Sequence, residues 1–165
     1  MTATGTALEQ ARAAAAGVLD PEVPVLTIAD LGVLRDVEVD GHAVTVTVTP
    51  TYSGCPAMEV IERDVEAAVR DAGFEQVVVR RVLSPPWTTD WMSDEGRRKL
   101  EDYGVAPPTT RAASGSGPVP VALSVRCPQC GSPDTHELSR FGSTACKSLW
   151  RCNACREPFD HFKAL

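Results

Sequence analysis

Val33-Leu34-Arg35-Asp36-Val37-Glu38-Val39 and Ala43-Val44-Thr45-Val46-Thr47-Val48-Thr49 flank Asp40-Gly41, and this stretch decides the fold. Asp-Gly between two runs rich in β-branched residues signals a hairpin, because glycine accepts the positive φ that a tight turn needs. Valine alternates with threonine in the second run, so the Val side is expected on the core and the Thr side toward solvent or a polar partner. Downstream, Tyr52-Ser53-Gly54-Cys55-Pro56 leads into residues 57–72, where Met58, Ile61, Val65, Ala68 and Ala72 recur at helical spacing. Pro56 suits a first helical turn and Gly73 a stop. Residues 76–82 read as a third strand. Upstream, residues 7–19 are rich in alanine and end in Leu-Asp-Pro, so a helix is expected to stop just before Pro21. The order helix, hairpin, helix, strand predicts an α/β (α+β) fold, a small two-layer sandwich in which helices cover one face of a mixed sheet.

The rest of the chain divides by composition. Its 165 residues, 43% hydrophobic and 23% charged, suit one compact domain with a small appendage. Residues 83–92 hold two tryptophans and two prolines without periodicity and read as a packed surface loop; its apolar groups either seal the core beneath or mark a contact surface. Ser93-Asp94-Glu95 resembles a helix start, with a helix running to Gly104. From Ala106 to Pro120, proline alternates with small residues and offers nothing to bury. The expected division is therefore a domain over 1–108, a flexible linker over 109–122 and a second module over 123–165. Residues 1–108 carry a net charge of −9 and residues 123–165 one of +2, and Arg111 between them completes the total of −6. The acidic balance argues against a nucleic-acid binder, which needs a basic surface for phosphate. The mild positive character of the second module suits an acidic partner protein better. No apolar run approaches the roughly 20 residues that span a bilayer. Met1 to Thr6 form neither a basic nor an apolar export region, so a cytoplasmic location is expected.

In a reducing cytosol, cysteines bind metal or do chemistry more often than they form disulfides. Cys127-Pro128-Gln129-Cys130 and Cys152-Asn153-Ala154-Cys155 are two Cys-x-x-Cys pairs at the spacing of a Cys₄ zinc ribbon. Each pair converges on one ion from a tight turn, so Cys127, Cys130, Cys152 and Cys155 are the expected ligands of a structural Zn²⁺; redox or iron–sulfur use of the same sulfurs is the alternative. Cys146 reads as a buried thiol, ahead of an alternate ligand or a transfer site. His136 and His161 are expected on the surface, since four thiolates make further ligands unnecessary.

Cys55 stands apart, between Gly54 and Pro56 at an expected helix start. Free backbone N–H groups and the helix dipole there would lower its pKa, and the hydroxyls of Thr51, Tyr52 and Ser53 would donate to a thiolate. It reads either as an inert core cysteine or as a metal ligand or nucleophile. A thiol enzyme needs a base, and the one histidine before residue 109 is His42, in the expected hairpin turn. Asp20 and Glu22, beside Pro21 and Pro24, are the acidic candidates. Carboxylates with one thiolate suit transient iron coordination better than catalysis.

Leu19-Asp20-Pro21-Glu22-Val23-Pro24, Ile28-Ala29-Asp30-Leu31-Gly32 and Thr49-Pro50-Thr51-Tyr52-Ser53-Gly54-Cys55-Pro56 resemble the iron–sulfur cluster assembly domain family. Residues 83–93, together with Phe141-Gly142-Ser143-Thr144-Ala145-Cys146-Lys147 and Glu157-Pro158-Phe159-Asp160, resemble the PaaD family of bacterial phenylacetate degradation. The resemblance spans nearly the whole chain. It implies an accessory protein of the multicomponent monooxygenase that epoxidises the ring of phenylacetyl-CoA, supporting maturation of the iron–sulfur reductase or the diiron oxygenase subunits. The family's reactive cysteine carries over to Cys55, which would handle iron or a cluster transiently; Asp20, Glu22, Thr51 and Ser53 are candidate assistants from the residue pattern alone. Its zinc-type cysteines carry over to Cys127, Cys130, Cys152 and Cys155. The implied partners are the epoxidase components, with a homodimer left open, and neither nucleic acid nor membrane. The alternative role is a stoichiometric structural subunit of the monooxygenase.

Overall fold

A computed structural model of the chain describes residues 3–108 and 124–164. The linker expected over 109–122 lies outside the described residues. The described residues form three helices and two small sheets. They fall into two compact units, one ending at Trp87 and taking back Trp91–Ser93, the other comprising Thr88–Asp90 and the chain from Asp94 onward.

In the first unit, α1 (Ala3–Ala16) is followed by β1 (Leu34–Asp40), β2 (Ala43–Val48), α2 (Met58–Asp71) and β3 (Gln76–Arg81). The hairpin forms as expected: Asp40 pairs with Ala43, and Gly41 takes φ +60° in the turn. β2 is the central strand, antiparallel to β1 and parallel to β3. Val44, Val46 and Val48 are buried. On the Thr side Thr47 is buried and meets a polar partner, accepting a hydrogen bond from Arg80 Nη2 at 3.2 Å.

Two helix expectations are corrected. α1 ends at Ala16 rather than near Leu19, because Leu19 bridges Thr27 and the Asp20 N–H donates to Leu26 O at 2.9 Å. α2 buries Met58, Ile61, Val65 and Val69, so its core face follows Val69 rather than Ala68 and Ala72. Gly73, at φ +101°, stops the helix with its N–H on Arg70 O.

Two residues of the stretch rich in tryptophan and proline close the first unit's core. Trp87 and Met92 are each 4% exposed, and the Trp87 indole N–H donates to Leu31 O at 2.8 Å. Gly32 has φ +74°, and a Cβ there would lie 2.5 Å from Trp91 O, so only glycine lets the two backbones approach.

The second unit contains a short 3₁₀ segment, α3 (Asp94–Tyr103), β4 (Val105–Ala106), β5 (Thr135–Ser139), β6 (Lys147–Cys152) and β7 (Pro158–Phe162); Trp91, the last residue of Thr89–Trp91, clusters with the first unit. Its sheet has the order β4-β7-β6-β5. β4 pairs in parallel with β7 and α3 packs on β4, so residues 94–106 cluster with the ribbon strands.

Candidate functional site

Cys55 sits where three elements converge. Val48 and Arg81, the last residues of β2 and β3, face each other in parallel register. The loop leaving β2 therefore passes the end of β3 before α2 begins. In that loop the Cys55 N–H donates to Tyr52 O at 3.2 Å, and Cys55 O accepts from the Met58 N–H at 3.4 Å. The half-buried sulfur accepts hydrogen bonds from the Ala57 N–H and the Thr51 hydroxyl. α2 has no side-chain cap hydrogen bond at its start, where the Met58 N–H is served by the loop carbonyl of Cys55.

Asp20 and Glu22 reach the same place from the loop after α1. Asp20 is 7% exposed, and its Oδ1 accepts the N–H groups of Glu22 at 2.8 Å and Val23 at 2.9 Å. That turn holds Glu22, and both carboxylates act on the Cys55 sulfur. Cys55 is therefore not the activated thiolate expected at a helix start. Burial pushes its pKa above the ordinary 9.0, and the charges of Glu22 and Asp20 add to the rise, outweighing the Ala57 and Thr51 hydrogen bonds. Of the expected assistants, Ser53 is exposed.

Arg81 was not legible in the sequence. Its Nε meets Glu62 Oε1 at 2.6 Å, tying β3 to α2, and its charge is favoured first by that bond and further by Glu59 and Cys55. Only the parallel register of β2 and β3 would have located it. His42 is exposed in the hairpin turn.

The second cysteine group is compact. One sulfur from each of Cys127, Cys130, Cys152 and Cys155 lies within 4.8 Å of the others, and Cys127–Cys155 and Cys130–Cys152 approach to 3.7 and 3.6 Å. Two similar knuckles bring them together. In the first, the Gly131 N–H donates to Cys127 O at 2.8 Å with Gly131 at φ +73°; in the second, Arg156 occupies the matching position at φ +67°. Zinc bonds of about 2.3 Å to sulfur in a tetrahedron imply sulfur–sulfur edges near 3.8 Å, so the donor set fits that ion. The thiols also press on one another. The Cys155 N–H, with other donors, pulls Cys152 down to about 7, whereas Cys155, although the Glu157 N–H favours its thiolate, is pushed up to about 12 by burial and the other sulfurs. A divalent cation removes that conflict by stabilising all four thiolates together.

Cys146 stays outside this group. It is 4% exposed, with its sulfur 3.0 Å from Thr144 Oγ1, matching the reading as a buried thiol. His136 is exposed as expected, but His161 is not. It is 9% exposed on β7, edge-on to Trp150 with ring centroids 5.8 Å apart and Nδ1 3.3 Å from Ser148 Oγ, and burial lowers its pKa to about 4. Neither histidine joins the sulfur cluster.

Comparison with known proteins finds a match for each end of the chain. Residues 8–80 match an iron–sulfur cluster assembly protein family, and residues 112–163 match the PaaD zinc beta ribbon domain. The chain is 48% identical over 146 residues to a putative 1,2-phenylacetyl-CoA epoxidase subunit of Escherichia coli (strain K12), covering 88% of this chain and 86% of that one. It is 40% identical over 78 residues to the Fe-S protein maturation auxiliary factor YitW of Bacillus subtilis (strain 168), covering 46% of this chain and 76% of that one. A DUF59 domain crystal structure from Bacillus anthracis superposes with a TM-score of 0.55 at 28% identity, over 59% of this chain and 93% of that one. No described helix is long and apolar enough to cross a membrane. With the sulfur cluster placed inside the ribbon match and the Escherichia coli relative covering both modules, the chain belongs to the PaaD family.

Proposed function

We propose that this chain is a cytoplasmic accessory protein of the phenylacetyl-CoA ring epoxidase in phenylacetate degradation, serving maturation of an iron–sulfur or other metal centre in the reductase or oxygenase component. One observation carries the reading: Cys55 is a half-buried thiol held protonated by burial and by Glu22 and Asp20. Such a thiol is a poor nucleophile. It is a receptive ligand, because an arriving iron cation cancels the carboxylate repulsion and lets the proton leave. Thr51 and the Ala57 N–H then hold the thiolate in place, and Asp20 fixes the turn that presents Glu22. Iron or a cluster is the cargo here. Zn²⁺ on Cys127, Cys130, Cys152 and Cys155 is the resident metal, closing the two knuckles of the ribbon without redox chemistry.

The names of the Bacillus subtilis and Escherichia coli relatives support this reading from two directions, one naming maturation and the other the epoxidase. Anaerobic purification of wild type and Cys55→Ala, with zinc and iron counted per chain, tests it. About one zinc in both proteins is expected, with iron or cluster absorbance in wild type alone and reduced cluster content of the epoxidase reductase in cells carrying Cys55→Ala. Unchanged client metal content and epoxidase activity in those cells would overturn it. A second reading, a stoichiometric structural component of the monooxygenase, is favoured by the name of the Escherichia coli relative, which makes that protein part of the epoxidase itself. Co-purification with the oxygenase in a fixed ratio that survives Cys55→Ala would select it.

A further inference from the structure

We propose that the metal centre controls the folding of a segment that precedes the ribbon in sequence: α3 and β4, residues 94–106, are ordered only when the four sulfurs are closed on their ion. This goes beyond the role of Cys55 and rests on the reading of the Cys₄ group as a metal site.

β4 has two residues and one sheet partner, with Val105 opposite Asp160 and Ala106 opposite His161 on β7. So short a strand has no stability of its own. Its side chain at Ala106 is 1% exposed and belongs to one buried cluster with Val125, Cys127, Cys152 and Phe159, with Trp150 packed against it. Two of those five cluster members are metal-ligand cysteines. The support for β4 is thus partly the metal site itself.

α3 depends on β4 in turn. Ten residues is shorter than the roughly 12–15 that let a helix persist alone in water, and α3 buries only Gly96 and Leu100. It clusters with the ribbon rather than with the first sheet, and it packs on β4. Gly104 ends it at φ +90° beside the first knuckle, where an added Cβ would lie 3.2 Å from Gln129 Nε2, between Cys127 and Cys130. Arg97 then carries the order outward, donating from Nη2 to Thr89 O at 2.7 Å and from Nη1 to Pro108 O at 2.9 Å.

Opening the sulfur tetrahedron removes two members of the cluster from their places. β7 loosens, β4 loses its partner, α3 loses its base, and Thr89 loses the Arg97 contact. The coupling is reciprocal, so damage to β4 must weaken metal retention although β4 supplies no ligand.

Hydrogen exchange on the full chain, zinc-loaded and after stripping with a chelator to a metal content confirmed by analysis, tests this. Amides in 94–106 are expected to exchange at least tenfold faster after stripping, together with β6 and β7, while β1, β2, β3 and α2 keep their protection. Protection retained in 94–106 while β6 and β7 open would overturn the proposal, and so would equal loss in β1–β3. In a second measurement, Ala106→Glu is expected to release zinc to a competing chelator at least tenfold faster than wild type, with the exposed-site change Val78→Glu as the reference. Equal release by Ala106→Glu and wild type would also overturn it. Zinc per chain before stripping reports separately on the metal reading, so the two can fail independently.

Discussion

Cys55 shows how burial and charge can reverse a local expectation. A helix start and neighbouring hydroxyls favour a thiolate, yet burial comes first and Glu22 and Asp20 add to it, so the thiol is raised above 9.0. Glu22→Gln removes one repulsion and leaves the hydrogen bonds. Its thiol is expected to be alkylated faster at neutral pH, because the thiolate fraction rises. Iodoacetamide labelling of Cys55 followed by mass spectrometry measures this, and an unchanged rate would show that Glu22 does not set the thiol. His161 reverses an expectation in the other direction. Buried, and without a partner at Nε2 among the described residues, it has its pKa lowered to about 4 from the ordinary 6.5. The unfolded chain takes up this proton first, so the contribution to stability is whole above about pH 6.5 and is lost as the pH falls toward 4. About 3 kcal/mol is at stake across that window. His161→Gln is expected to flatten the dependence of the second unit's denaturation midpoint on pH in this range. Thiolate protonation acts on both proteins, so equal slopes would exclude His161 as the cause.

Among the elements, those written in local signals were legible. The hairpin follows from Asp40-Gly41, and the two knuckles follow from Cys-x-x-Cys. α2 was placed but turned slightly, because Ala68 and Val69 both satisfy a helical period and only packing chooses Val69. Pairings distant in sequence were not legible. The parallel register that sets Arg81 beside Val48, and the pairing of β4 with β7, depend on contacts that two to six residues cannot encode. Asp20 and Glu22 stood out as the acidic candidates beside Pro21 and Pro24, but their approach to Cys55 rests on contacts distant in sequence. The knuckles carry an asymmetry of their own. Gly131 and Arg156 occupy the same left-handed position, which costs a non-glycine residue about 1 kcal/mol. Arg156→Gly is expected to stabilise the metal-loaded second unit by up to about 1 kcal/mol, and Gly131→Ala to destabilise it by a similar amount, both read from denaturant midpoints. A loss of stability in Arg156→Gly would mean that the bond from Arg151 Nε to Arg156 O does not survive the change.

At the scale of the whole molecule, one chain uses sulfur in two ways. The first unit keeps a single thiol protonated beside carboxylates, and the second gathers four thiols whose mutual repulsion a cation must resolve. The two environments predict different responses to metal withdrawal. Cys127 is 2% exposed, and its replacement leaves three thiols that cannot close a tetrahedron around the buried cluster. Cys127→Ser is expected to purify without zinc, against about one per chain expected for wild type, and to fall in solubility as apolar surface around Phe159 and Trp150 opens. Val44, Val46 and Val48 pack in the first unit without any metal ligand, so β1–β3 should keep their hydrogen-exchange protection. Metal analysis with exchange mass spectrometry checks both halves. Full zinc content in Cys127→Ser would remove Cys127 from the ligand set, and collapse of the β1–β3 sheet in the zinc-free variant would show that the units do not fold separately.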